Sequence, residues 1–419
     1  MILTHTLGNG LTLMMERLPA LRSAAIGVFV KAGSIMEEPR QNGLSHFIEH
    51  MAFKGTQSRN ARQIAEEIDL IGGNVNASTS KLATSYYART TDKDISRALS
   101  LLADMMVHPR EDAGDFERER QVILEEIAME ADSPEDLVFN LLHRGLYAGQ
   151  SLSQTILGSR EAISAYAPKD LTDFRAACYQ PGNAVLAIAG RFNPEQFVKW
   201  AEDALGDWQG TARRQSPVNH FLADAGTLTQ DKDVEQAHIC LSFPGLPSLH
   251  EDRHALLAFS TVFGGGVSSR LFQKVREDQG LVYTIYSAPS FYPDCGEFTI
   301  YAACAPKKVG KVLDLIEQER QGILHRGINR GEFMATMAQI RTGFVLGMES
   351  AYQRMAAMGM NKLLHDRVIE PKEMLAQLRG IKLKDVNRLA RDTLQQQPVM
   401  AVVGKKVARR FGAGRVEHG

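Results

Sequence analysis

His46-Phe47-Ile48-Glu49-His50 lies inside Gly43 to Phe53, a segment with helical spacing. Leu44, Phe47, Ile48 and Met51 fall at i, i+3, i+4 and i+7 and share one face. His46, Glu49 and His50 fall at i, i+3 and i+4 on another face. Two imidazoles one helical turn apart can hold one Zn2+, and the carboxylate between them can take a proton from water there. The order H-x-x-E-H is the reverse of the H-E-x-x-H metal helix. The bland alternative is a surface helix whose polar face happens to carry two histidines and a glutamate, so the rest of the chain decides.

A chain of 419 residues exceeds one ordinary core and predicts two or more domains. Its 44% hydrophobic and 23% charged residues are those of a soluble globular protein. A net charge of -1 gives neither a nucleic-acid footprint nor a membrane-surface bias, and no apolar run reaches transmembrane length. Met1 to Met15 alternates apolar and polar residues through Gly8-Asn9-Gly10, which reads as a strand and turn rather than a targeting segment. The basic tail (Lys405, Lys406, Arg409, Arg410, Arg415) reads as a solvated end. Cys178, Cys240, Cys295 and Cys304 lack C-x-x-C spacing and read as buried thiols in a reducing compartment.

Strands are expected at Leu11 to Met15, Ala24 to Lys31, Asn74 to Ser80, Thr84 to Thr91 and Asn183 to Gly190, with helices between them. Gly210, Pro217 and Gly226 mark a linker over 213–232. Beyond it the pattern returns. At a constant offset of 214, Ala88 meets Ala302, Lys93 meets Lys307, Leu99 meets Leu313 and Leu101 meets Leu315. The expectation is an α+β protein of two similar domains, 1–212 and 233–419, each a mostly antiparallel sheet with helices packed on one face. The same offset carries His46, Glu49, His50 and Glu126 onto Ser260, Phe263, Gly264 and Ile340, so only the first domain holds the candidate metal set.

A zinc site needs a third protein ligand. The acidic helix expected from about Asp115 to Met129 offers several carboxylates: Val122, Ile123 and Ile127 form its apolar stripe, and Glu119 and Glu126 lie two turns apart on roughly one face. With Glu126 placed 76 residues after His50 within Arg-Gln-Val-Ile-Leu-Glu-Glu-Ile, the chain resembles the M16 (pitrilysin-type, inverzincin) zinc peptidases, nearest their mitochondrial-processing-peptidase-like branch, M16B. Gly72-Gly73-Asn74 with Asn76-Ala77, Gly264-Gly-Gly-Val-Ser-Ser-Arg-Leu-Phe, Arg276 and Gly280-Leu-Val-Tyr283 belong to the same likeness, which covers nearly the whole chain.

The resemblance implies the metallopeptidase M16/LuxS-like fold and one Zn2+ per chain held by His46, His50 and Glu126. Glu49 would be the general base and Glu119 the carboxylate that orients a ligand. Arg276 and Tyr283, from the second domain, would contact substrate carbonyls and the tetrahedral intermediate. Asn76 and Ala77 would lie on an edge strand to which a peptide substrate adds as a further strand. Relatives enclose substrate in a chamber of four such domains, so a two-domain chain implies a homodimer, or a heterodimer with a related chain. The glycine run Gly264-Gly265-Gly266 is shorter than the long loop of the processing peptidase's noncatalytic subunit, and no presequence is evident, which points to a bacterial cytoplasmic endopeptidase. A noncatalytic core-like subunit is the rival reading. Gly264 to Ser269 lacks the lysine of a phosphate-binding loop, and Ser268 and Ser269 lack a nucleophile context. His108 and His238 read as solvated or core histidines.

Overall fold

The computed structural model describes residues 2–110, 112–210 and 215–411. Arg415 of the basic tail, and residues 211–214 beside the expected linker, lie outside the described residues. Two compact units form, and neither is contiguous in sequence. The first takes Met1–Ile127, Gln154–Pro217 and Phe344–Glu373; the second takes Ala128–Ser153, Val218–Gly343 and Met374–Gly419.

The first unit is built on six strands: β1 (Ile2–Thr6), β2 (Thr12–Arg17), β3 (Ser23–Val30), β4 (Asn74–Thr79), β5 (Thr84–Thr91) and β6 (Ala184–Gly190). Their order is β1-β2-β6-β3-β5-β4, so β4 is an outer strand. Among the described residues, only the β2–β6 pair of this sheet is parallel. β3 is apolar nearly throughout because both of its faces are covered. β4 instead alternates, with Val75 and Ala77 buried and Asn74, Asn76 and Ser78 exposed. Helices α1 (Leu44–Ala52), α2 (Ala61–Ile71), α3 (Ile95–Val107) and α4 (Ala113–Asp132) follow in the chain, and their buried residues join the core on one face of the sheet.

The second unit repeats the plan with β7 (Thr227–Asp231), β8 (Ala237–Pro244), β9 (Val282–Phe291), β10 (Gly296–Cys304) and β11 (Val399–Gly404) in the order β7-β11-β8-β10-β9. β8 spans the residues 214 beyond β3, and the parallel pair β7–β11 matches β2–β6. The two sheets are therefore mixed but mostly antiparallel.

The second face of each sheet carries one further helix, drawn from the other half of the sequence. Helix Ala351–His365 lays Met355 and Met358 on Met14, Phe29, Val185 and Ala187 of the first sheet. Helix α5 (Pro134–Leu146) buries Val138, Leu141 and Leu142 and packs on β8 and β11. Burying such a side chain contributes about 1.5–3 kcal/mol, so each helix stays on the sheet that covers its apolar face. The compact units thus differ from a division at 212 and 233 by Ala128–Ser153 and Phe344–Glu373, and the stretch 213–232 read as a linker holds strand β7 of the second unit.

Candidate metal centre

The turn before α1 aims the metal helix. Gly43 adopts φ 99° at the helix N-terminus, where a Cβ would lie 2.7 Å from the Leu157 carbonyl oxygen, so glycine is required. The buried Glu37 carboxylate accepts from the backbone N–H of Gly43 at 2.8 Å and of Ser45 at 2.7 Å, satisfying the first free donors of α1. Leu44, Phe47, Ile48 and Met51 are buried, the expected stripe.

Phe47 stacks on Phe116 of α4 with ring centroids 4.8 Å apart and planes at 11°. That contact sets α1 beside α4 and brings their polar residues together. The stripe expected on α4 is corrected by the structure: Phe116 and Ile123 are buried, Ile127 packs partly buried at the core edge, and Val122 is 42% exposed.

His46 Nε2 and His50 Nε2 lie 3.6 and 3.5 Å from Glu126 Oε2. The ligand atoms of these three residues all lie within 4.8 Å of one another. A tetrahedral ion about 2.0–2.1 Å from each donor separates its donors by about 3.3–3.5 Å. Two imidazole nitrogens and one carboxylate oxygen, at these spacings and with a coordination position left open, fit Zn2+. Burial, then the neighbouring His50, lowers the His46 pKa to about 4, so its ring is neutral, the form that ligates. His46 Nδ1 is buried and has no hydrogen-bond partner among the described residues.

The other nitrogen of His50, Nδ1, lies 3.1 Å from Glu119 Oε2. Glu49 sits on the same helix, and its carboxylate accepts from the Thr79 hydroxyl at the end of β4. Burial raises the pKa of Glu49, with the Thr79 hydrogen bond and the His50 charge opposing. Among the described residues, β4 has no strand on its outer side. The backbone N–H of Ala77 donates instead to Asn76 Oδ1 at 2.8 Å.

His46, Glu49, His50, Glu119 and Glu126 are thus brought together, and Asn76 and Ala77 lie on the edge strand that ends beside Glu49. Arg276 and Tyr283 belong to the second unit and are neighbours there: the Arg276 guanidinium lies 4.7 Å from the Phe272 ring centroid and 5.5 Å from that of Tyr283, which is 74% exposed. His238 is half-buried on β8, with Nδ1 2.8 Å from the Tyr301 hydroxyl. Sequence reasoning missed Thr79 and Lys54, whose Nζ lies 2.7 Å from Glu119 Oε1. Lys54 follows His50 by four residues, a spacing that was available as a signal; nothing local marks Thr79.

The chain matches the family described as insulinase (peptidase family M16) over residues 12–160, and the peptidase M16 inactive domain over residues 166–340. It is 37% identical to the uncharacterized zinc protease YmxG of Bacillus subtilis over 96% of this chain and 98% of that one. It is 35% identical to an uncharacterized zinc protease of Streptomyces coelicolor over 95% of this chain and 88% of that one. A crystal structure of a protease from Helicobacter pylori shares the fold with a TM-score of 0.88, at 23% identity, over 96% of this chain and 99% of that chain. The chain belongs to peptidase family M16, and Zn2+ is the metal that this membership and the His46, His50 and Glu126 cluster imply.

Proposed function

We propose that the chain is a zinc-dependent endopeptidase acting on peptides or unfolded segments. The observation that carries this reading is the convergence of His46, His50 and Glu126 beside Glu49, at the end of an open edge strand. Zinc held by His46, His50 and Glu126 would supply Lewis-acid polarisation and make water nucleophilic near neutral pH. Glu49 is the general base: it takes a proton from the attacking water and returns it to the leaving amine. Its raised pKa brings its basicity closer to neutral pH. Glu119 accepts from His50 Nδ1–H and fixes that ring.

A peptide adds to the Asn76-Ala77 edge of β4 by backbone pairing, which gives affinity with little sequence selectivity. Arg276 and Tyr283 contact substrate carbonyls and the tetrahedral intermediate, supplied by a second copy of the chain around a closed chamber. The buried free thiols of Cys240, Cys295 and Cys304 support a reducing, cytoplasmic setting. Among the described residues, no helix is long and apolar enough to cross a membrane.

Zinc content and peptide cleavage of the wild type and Glu49→Gln test this reading. Both are expected to bind one zinc per chain, with the variant slower by at least about 100-fold. A zinc-loaded Glu49→Gln with full activity overturns the mechanism. A wild type that purifies without zinc and stays inert favours a scaffold subunit. A zinc-loaded but inert wild type favours a heterodimer. In a homodimer, mixing Arg276→Ala with Glu49→Gln chains should restore one intact site per mixed pair.

A further inference from the structure

We propose that Lys54 is a positioning residue of the metal centre: it fixes the Glu119 carboxylate so that Glu119 holds His50 with Nε2 free to ligate. The inference rests on the zinc reading of the cluster.

Lys54 lies just past the end of α1, where its backbone N–H donates to the Met51 carbonyl at 3.0 Å. The turn therefore holds the side chain close to the helix that carries His46 and His50. Its ammonium meets Glu119 Oε1 at 2.7 Å, while Glu119 Oε2 lies 3.1 Å from His50 Nδ1. One carboxylate thus bridges two partners, with one oxygen for each. Glu119 is 5% exposed and Lys54 is half-buried, so water contributes little to this bridge on the glutamate side.

The roles follow from donor chemistry. An ammonium only donates, and an ionised carboxylate only accepts. With Oε1 occupied by Lys54, Oε2 accepts from His50 Nδ1–H, and the lone pair of His50 is left on Nε2. That is the nitrogen turned toward Glu126 and His46. Without Lys54, Glu119 keeps a buried oxygen with no donor and is free to rotate away from the ring. His50 then loses the partner that sets its tautomer and orientation.

Charge balance points the same way. Glu49, Glu119 and Glu126 surround the two histidines. A divalent cation offsets two of these three negative charges, and Lys54 offsets the third. Among the described residues, Lys54 is the cation that the ion pairs bring to this cluster.

The experiment measures zinc dissociation constants by chelator competition on the full chain, with folding followed by circular dichroism. Lys54→Met is expected to weaken zinc by about 10- to 100-fold, the range for lost outer partners of a ligand. Lys54→Arg, which restores a donor and a charge, should stay within about threefold of wild type. In a Glu119→Gln background, Lys54→Met should add no more than about twofold, because both act through one contact. The visible spectrum of the cobalt-loaded protein should shift in Lys54→Met and return in Lys54→Arg. Should Lys54→Met fail to fold, Lys54→Ala, which likewise supplies no donor, replaces it with the same expectations. Unchanged zinc affinity in the folded variant, or an undiminished loss in the Glu119→Gln background, overturns the proposal. A wild type that binds no zinc overturns it together with the reading on which it rests.

Discussion

Thr79, the last residue of β4, donates its hydroxyl hydrogen to Oε2 of Glu49 on α1. The edge strand proposed to take a peptide and the carboxylate proposed as base are therefore tied by one bond. Thr79→Val removes the donor while keeping the shape of the side chain. The expected outcome is a fall in kcat of about tenfold, in line with loss of one hydrogen bond to a charged group, with zinc content unchanged. Thr79→Ser should recover most of the loss. Steady-state kinetics with metal analysis checks this; an unchanged kcat in Thr79→Val would show that Glu49 is positioned without it.

Metal removal should be read most directly in stability. A ligand that binds only the folded state stabilises it by about 2.7 kcal/mol at a hundredfold excess over its dissociation constant. Zinc added to the chelated wild type should raise its melting temperature by several degrees. His50→Ala, which removes one of the three donors, should show little or no rise. An equal rise in both proteins would place the binding elsewhere.

Glu297 offers a pH test in the second unit. It is buried, with Oε1 3.0 Å from His143 Nε2 and Oε2 accepting from the Tyr147 hydroxyl at 3.1 Å. Burial opposes its ionisation, but the charge and hydrogen bond of His143, with the hydroxyls of Tyr147 and Ser290, hold its pKa below 4.5. A carboxylate with a depressed folded pKa gives stability that is present above the unfolded value and lost as pH falls through the folded one. Glu297→Gln should therefore lose about 3 kcal/mol at pH 7, as for a broken buried pair, and the gap to wild type should narrow below about pH 4.5. Urea unfolding of the chelated proteins across that window decides; a constant gap would mean that the ionised form is not what stabilises.

Helix Ala351–His365 reaches the first sheet through Gly359, where a Cβ would lie 2.3 Å from Cε2 of Phe29. Gly359→Ala must displace the phenyl ring in a closely packed layer. The expected loss is about 1–3 kcal/mol, seen as a lower urea midpoint. Gly343, whose Cβ would meet nothing within 4 Å, is the matched control for which little change is expected.

Much of the site was legible because its spacing is local. The i, i+3, i+4 pattern of α1 separates the apolar stripe from His46, Glu49 and His50 whatever the helix packs against, and Glu119 and Glu126 share a face of α4 for the same reason. Val122 was misplaced because periodicity marks a face but not its edge; the Phe47–Phe116 stack decides how far α4 rolls. Thr79 escaped because its contact joins residues 30 apart through a strand end and a helix.

By itself the sequence determined the helix that carries the metal set, the third carboxylate and the repeat that leaves the second half without them. The helix follows from side-chain periodicity, which is local, and the repeat from a fixed offset between the halves; Glu126 was singled out among several carboxylates by the resemblance to family M16. The tertiary structure alone decided that α5 and helix Ala351–His365 cover the sheets of opposite halves, and that Lys54 and Thr79 hold the site's carboxylates. A helix's pattern states that one face is apolar; which sheet buries it, and which donors then meet a buried carboxylate, depends on contacts between residues distant in sequence.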